Sequence, residues 1–228
     1  MSARLVALLP MRHESERVPG KNYRPFAGRP LFHWVLRSLL ECRSIEEVVI
    51  DTDSPEIMTG TAERFPRVRL VERPAHLRGG DVPMNEILVH DAAVIDAEFF
   101  LQTHSTNPLL EPETIAAAVA CFLGGLPTHD SLFSVSRVQK RLWDADTRPL
   151  NHDPSVLLRT QDLRPVFEEN SCLYVFSREG LLARRNRIGS RPRMFEMDRL
   201  EAWDIDDELD FRVAEILFQQ RTRGRTVP

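Results

Sequence analysis

Two stretches of this chain place charged side chains at spacings that suit phosphate and metal chemistry. The first is Pro10-Met11-Arg12-His13-Glu14-Ser15-Glu16-Arg17-Val18-Pro19-Gly20-Lys21-Asn22. It follows a short apolar run and gathers Arg12, Arg17 and Lys21 in one loop. Arginine offers a planar fork for bidentate phosphate contact, and lysine a mobile point charge. The loop is neither G-x-G-x-x-G nor a P-loop, so side chains rather than a glycine cradle would hold the anion. A merely solvated charged loop is the competing reading. The second stretch is Trp203-Asp204-Ile205-Asp206-Asp207-Glu208-Leu209-Asp210. In an extended segment i and i+2 point to the same side, so Asp204 and Asp206 could hold Mg2+ through oxygen ligands. Asp207 would face away and Asp210 would lie in a closing helix. The competing reading is a helix N-cap with surface acids.

Other chemistries find no support in the pattern. The histidines form no H-x-x-x-H or H-E-x-x-H spacing for zinc, and no G-x-S-x-G marks a serine hydrolase. Cys42, Cys121 and Cys172 are isolated and odd in number, which excludes a disulfide framework and suits a reducing cytoplasm. No apolar stretch approaches the roughly 18 residues of a membrane helix. The 228 residues are 42% hydrophobic, enough for one core and one domain over 1–228. The net charge of −4 comes with interspersed signs, which argues against a nucleic-acid partner. The basic tail of Arg221, Arg223 and Arg225 reads as a solvated terminus. Lys21 and Lys140 are the only lysines among 30 basic residues, which makes the position of Lys21 notable.

These loops need elements to position them. Leu5–Leu9, Val48–Ile50, Val68–Val71, Phe99–Gln102, Leu132–Val138 and Leu173–Phe176 read as strands. Leu31–Leu40, Pro55–Phe65, Met84–Ile95, Glu113–Leu123 and Leu209–Gln219 read as helices. The alternation predicts an α/β fold with a mostly parallel sheet and helices on both faces. Ligands gather beyond the carboxyl ends of such strands, here the loops after Leu9, Ile50, Val71, Gln102 and Phe176. Between Lys140 and Arg164 the pattern blurs, which suggests an insertion at about 140–165.

In order along the chain, the residues resemble the acylneuraminate cytidylyltransferases, the CMP-sialic acid synthetases. The run from Arg12 to Asn22 is similar to that family's N-terminal motif. Asp51-Thr52-Asp53, Arg73-Pro74-Ala75, Leu101-Gln102 with Asn107-Pro108-Leu109, Glu169-Asn170-Ser171-Cys172-Leu173-Tyr174 and the D-I-D segment follow in sequence. The resemblance implies a single three-layer Rossmann-like nucleotidyltransferase domain whose insertion serves a homodimer. It implies a cytoplasmic, Mg2+-dependent transfer from CTP to a nonulosonic sugar acid, with pyrophosphate leaving. On this basis Arg12 and Lys21 would contact the triphosphate, and Asn22, Arg73, Gly80 and Asp81 the cytosine and ribose. Gln102, Asn170 and Tyr174 would lie near the acceptor sugar, with Arg159 and Gln161 meeting its polar groups or carboxylate. Asp204 and Asp206 would hold the metal, and Asp206 would accept the hydroxyl proton. The insertion and Arg193-Met194-Phe195 are the candidate dimer surfaces.

Two departures bear on substrate and mechanism. Glu16 stands where the family commonly has a lysine near the phosphates. The preferred reading turns Glu16 outward and gives Arg17 the phosphate role. The loop Thr103-His104-Ser105-Thr106-Asn107-Pro108 is longer than the usual Q-P-T-S-P and ends in Leu110 where arginine is common. It puts His104 on the acceptor side, where it could donate to a sugar hydroxyl. A protein that has kept the fold and binds nucleotide or sugar acid without transfer is the alternative function.

Overall fold

The computed structural model describes residues 4–224. The elements run β1 (Leu5–Leu8), β2 (Pro25–Phe26), β3 (Arg29–Pro30), α1 (Phe32–Glu41), β4 (Glu47–Thr52), α2 (Pro55–Arg64), β5 (Arg69–Glu72), α3 (Met84–Val94) and β6 (Phe99–Thr103). They continue with α4 (Pro112–Leu123), β7 (Ser131–Val138), β8 (Val166–Ser177), α5 (Arg178–Arg184), β9 (Pro192–Glu196) and α6 (Glu208–Gly224). One sheet has the order β5-β4-β1-β6-β8-β7-β9, and β2 and β3 form a separate hairpin. β5, β4, β1 and β6 run parallel, whereas β8 is antiparallel to both β6 and β7.

The strands sort their side chains by alternation. Leu5 and Ala7 of β1 join Phe32, Val35, Leu36 and Leu39 of α1 and Ile115, Val119 and Phe122 of α4 in one layer. Val6 and Leu8 turn to the opposite face and meet Leu88 and Ala92 of α3 and Leu181 of α5. A strand covered on both faces reads as a continuous apolar run, which is why Leu5–Leu8 shows no polar position. A smaller cluster of Phe26, Leu31, Phe211 and Ala214 fastens α6 to the hairpin. Each fully buried side chain of this kind stabilises the fold by about 1.5–3 kcal/mol. The three layers match the expected α/β architecture.

The sequence reading lacks four elements, β2, β3, α5 and β9, and misplaces one end. The β2–β3 hairpin is too short for periodicity, and α5 follows a strand with only one turn of cap signal, Ser177 accepting from Gly180 N. β9 pairs with β7 at the sheet edge and is mostly exposed, so it has no core alternation. Because β8 is antiparallel, Ser177 lies opposite Phe99, and Leu173 opposite Thr103. The carboxyl end of β8 therefore points away from the ligand side, and its amino-terminal half reaches that side instead. The segment 140–165 contains one 3-10 turn, Thr160–Asp162, and an isolated bridge from Trp143 to Pro149. Among the described residues, no helix is long and apolar enough to cross a membrane.

Candidate active site

A cleft of about 440 Å³ opens beyond the carboxyl ends of β1, β4, β5 and β6. Its lining includes Arg12, Glu16, Arg17, Lys21, Asn22, Arg73, Gly80, His104, Arg187, Asp204 and Asp206. The loop after β1 is held at both ends. Met11 N donates to Asp51 O at 2.8 Å, and His13 N to Asp53 Oδ1 at 2.7 Å. Asn22 Nδ2 donates to Arg12 O at 2.9 Å while its Oδ1 accepts from Ser105 Oγ at 2.6 Å. Both ends of the Asn22 amide thus brace the loop. Gly20 turns the chain at φ +64°, and a Cβ there would stand 2.9 Å from the Tyr23 ring. Left-handed backbone and a close aromatic wall together require glycine.

This loop is tied directly to the acidic segment. Lys21 Nζ donates to Ile205 O at 2.5 Å, and Arg17 Nη2 to Asp206 Oδ1 at 2.6 Å. Ile205 N donates to Thr106 O at 3.0 Å, so the loop after β6 supports the same segment. Burial lowers the Lys21 pKa, against the opposing pull of Asp204 and Asp206. Burial likewise raises the Asp204 pKa, and the Asp206 carboxylate adds to the rise. The competing reading of D-x-D as a helix cap falls to other residues. Asp210 N donates to Asp207 Oδ1 at 2.9 Å, and Asp207 N to Asp210 Oδ2 at 3.1 Å. That reciprocal pair caps α6 and leaves Asp204 and Asp206 on the cleft. Asp204 Oδ1 is buried without a hydrogen-bond partner among the described residues. Two carboxylates facing one cleft, one with an unsatisfied oxygen, are a donor set that fits a hard divalent cation.

On the opposite wall, the Arg73 guanidinium is 3% exposed and donates through Nε to Asp51 Oδ1. Gly80 lies beside the loop after β1, where a Cβ would stand 2.9 Å from Glu16 Oε1 and 3.1 Å from Arg12 Nη1. Glu16 is therefore on the cleft wall, which corrects its expected outward placement, and Arg17 pairs with Asp206 on the same cleft. Asp81 adjoins the cleft between Gly80 and Val82 but is not part of its lining.

The acceptor-side residues are layered. Gln102 is fully buried; its Nε2 donates to Thr103 O at 2.9 Å and its Oε1 accepts from Arg187 Nη1 at 2.5 Å. The Arg187 guanidinium lies 3.4 Å above the Tyr174 ring centre, a cation–π stack. Gln102 and Tyr174 therefore sit under Arg187, which itself lines the cleft. His104 also lines it. Burial, with Arg187 and Lys21 nearby, pushes its pKa down to about 3, so the ring is neutral. With Gln102 Nε2 donating at 3.0 Å, His104 Nε2 accepts and Nδ1 carries the proton. Asn170 accepts from Ser134 Oγ at 2.5 Å and donates to Ser136 Oγ at 3.1 Å. These bonds stitch the irregularity between Phe133 and Val135, and Ser171 beside it, at φ +57°, faces the cleft. Asn170 itself lines an adjoining hollow of about 380 Å³ that shares Asp204 and Asp206. Arg159 and Gln161 line neither space; Arg159 pairs with Asp162 at 2.7 Å, and Gln161 O accepts from Gln139. Arg187 has no sequence signal, because it stands in a surface run with Arg184, Arg185 and Arg191.

Residues 6–222 match the family described as cytidylyltransferase. The chain belongs to the cytidylyltransferase family. It is 27% identical over 94% of its length to N-acylneuraminate cytidylyltransferase A of Danio rerio, of which the match covers 50%. It is 26% identical over 95% of its length to the CMP-N,N'-diacetyllegionaminic acid synthase of Legionella pneumophila, covering 97% of that protein. The chain spans about half the length of the N-acylneuraminate relatives it matches. In fold it is similar to a solved CMP-2-keto-3-deoxy-manno-octonic acid synthetase in complex with CTP, at a TM-score of 0.70 and 14% identity. That likeness covers 96% of this chain and 100% of the other. The ordered motifs thus point to the right family.

Proposed function

We propose that this protein transfers the cytidylyl group of CTP to the anomeric hydroxyl of a sialic-type sugar acid. The observation that carries the proposal is the junction of the Arg12–Lys21 loop with Asp204 and Asp206 across one cleft in a cytidylyltransferase fold. The relatives' names, which include N-acylneuraminate and legionaminic acid enzymes, support the acceptor class.

In the reaction, the acceptor oxygen bonds to the α-phosphorus, the bond from that phosphorus to the β-bridging oxygen breaks, and pyrophosphate leaves. Most of the work is positioning and charge neutralisation. Arg12 and Lys21 face the triphosphate; Arg73 and Gly80 border the nucleoside, with Asn22 bracing the loop and Asp81 at the rim. Asp206 takes the hydroxyl proton once the phosphate draws Arg17 away from it. Arg187, supported by Gln102 and Tyr174, meets the acceptor's carboxylate, and His104 Nδ1 donates to a sugar hydroxyl. Arg159 and Gln161 would reach an acceptor only in another subunit's cleft or after the 140–165 segment moves. Asp204 and Asp206 would hold Mg2+, which when bound neutralises phosphate charge and polarises the reacting oxygens. A homodimer in the cytoplasm completes the proposal; exposed Leu150, Val156 and Leu157 of 140–165 and Met194 of β9 offer apolar surface for it.

Pyrophosphate release from CTP and Mg2+ should appear with at least one of N-acetylneuraminate, N,N'-diacetyllegionaminate or 3-deoxy-manno-octulosonate. Asp206→Asn should abolish turnover while CTP still binds. Silence across the panel with CTP bound would favour a binding protein that has lost transfer.

A further inference from the structure

The nucleotide wall of the cleft rests on a charge cluster that the transfer reaction does not use. Asp51, at the end of β4, is 1% exposed, and Asp91, in α3, is 0% exposed. Arg73 Nε donates to Asp51 Oδ1, and Arg73 Nη2 to Asp51 O at 3.3 Å. Asp51 Oδ2 and both Asp91 carboxylate oxygens have no hydrogen-bond partner among the described residues, yet Asp51 and Asp91 place carboxylate oxygens within 4.8 Å of each other. Arg73 from the loop after β5 and His90 from α3 are the other charged or titratable groups acting on Asp51. Two ionised carboxylates beside one guanidinium would leave a net negative charge out of water. At that separation and away from bulk water their mutual repulsion is strong. One proton removes it and supplies the missing donor for Asp51 Oδ2.

We propose that Asp51 and Asp91 share a single proton, Asp91 donating it to Asp51, so that Asp51 stays the anion that fixes Arg73 for the nucleotide. The proposal rests on the cytidine-nucleotide reading above, and both acids are positioning residues. Asp51 determines where Arg73 points, and Asp91 determines where Asp51 points. Burial and the neighbouring Asp51 charge push the Asp91 pKa up to about 8. Above that pH the pair gains a second buried negative charge, its hydrogen bond is lost, and Arg73 loses its fixed partner.

Calorimetric binding of CTP, and of cytidine, which does not titrate in the window, would be measured on the full chain from about pH 6.5 to about pH 9.5. Affinity should fall about tenfold above pH 8. Asp91→Leu should weaken binding about tenfold already at pH 7. Asp91→Asn, which keeps a donor toward Asp51, should restore it and remove the alkaline fall. Equal loss in Asp91→Asn and Asp91→Leu would overturn the proposal, as would stoichiometric metal in the purified protein that disappears in Asp91→Asn. The carboxyl-carbon NMR titration of the wild-type chain decides the proton independently of any variant's folding or any ligand. One aspartate titrating near pH 8 is the expected result, and two buried aspartates titrating below about pH 5 would refute sharing. Failure of the wild type to bind CTP or cytidine at pH 7, with the pH 8 titration present, would instead count against the nucleotide reading.

Discussion

Glu16 stands on the cleft wall with Arg12, both close to Gly80, where the proposed triphosphate would bring negative charge. Its charge is solvated, so the repulsion is well below the buried limit, on the order of 1–2 kcal/mol. Glu16 can be tolerated there because Arg12, Arg17 and Lys21 outnumber it on the same loop. Removing the charge while keeping the shape isolates that cost. Glu16→Gln should therefore tighten CTP binding about tenfold at low salt, with the gain shrinking as salt rises. Titration calorimetry at two ionic strengths checks it. Weaker binding in Glu16→Gln would give the carboxylate its own task, such as orienting Arg12. At this scale the chain is partly legible: Arg12, Lys21, Arg73 and the D-I-D acids are visible as types at spacings. Gln102 and Tyr174 are visible as residues, but not as supports beneath Arg187, because stacking order across strands leaves no trace in linear spacing.

α6 positions the acidic segment through its first turn. Arg24 donates from both terminal nitrogens to Glu208 at 2.6 and 2.8 Å and lies over Phe211 at 4.3 Å. The Asp207–Asp210 cap then sets where the chain leaves the helix and runs back through Asp206 to Asp204. An N-cap carboxylate is worth about 1 kcal/mol. In a domain of this size Asp207→Ala should lower Tm by about 2–4 °C, read by calorimetry, and reduce turnover less than Asp206→Asn does. A variant that matches Asp206→Asn in lost activity at full stability would place Asp207 in the chemistry instead. The helix and its preceding acids were readable because an apolar period begins right after a cluster of aspartates. The antiparallel sense of β8 was not. A run of buried apolar residues has the same composition in either direction, and pairing with partners distant in the chain, such as Phe99 with Ser177, decides it. The same holds for β9, whose exposed edge position removes the period-two signal on which strand reading depends.

Across the whole molecule, buried titratable groups set the pH range in which the fold is most stable. His33 packs edge-on against Phe32 and Phe65 with Nε2 unpartnered among the described residues, and burial, with Arg64 and Arg29 nearby, pushes its pKa down to about 4. His104 is pushed down to about 3. In the unfolded chain both take a proton below their ordinary value of 6.5, so between there and pH 4 the unfolded state binds more protons and stability rises with pH. Asp91 acts in the opposite sense. The unfolded carboxyl ionises above 3.8, whereas the folded one keeps its proton to about pH 8, so stability falls with pH across that window. Asp51 and Asp204, also raised by burial, add to the fall. Two histidines outweigh the shared proton on the acid side, and it dominates once both histidines are neutral in either state, with Lys21, whose pKa burial lowers, opposing it further into the alkaline range. Tm should therefore peak between about pH 6 and about pH 7 and decline toward pH 5 and pH 8. His33→Leu should flatten the acid limb and leave the alkaline one unchanged, whereas Asp91→Asn should flatten the alkaline limb and steepen the acid one, where its proton opposes the histidines. A Tm that still climbs from pH 7 to pH 8 in the wild type would mean that Asp91 is ionised in the fold, and the charge balance of the nucleotide wall would have to be met by a bound cation.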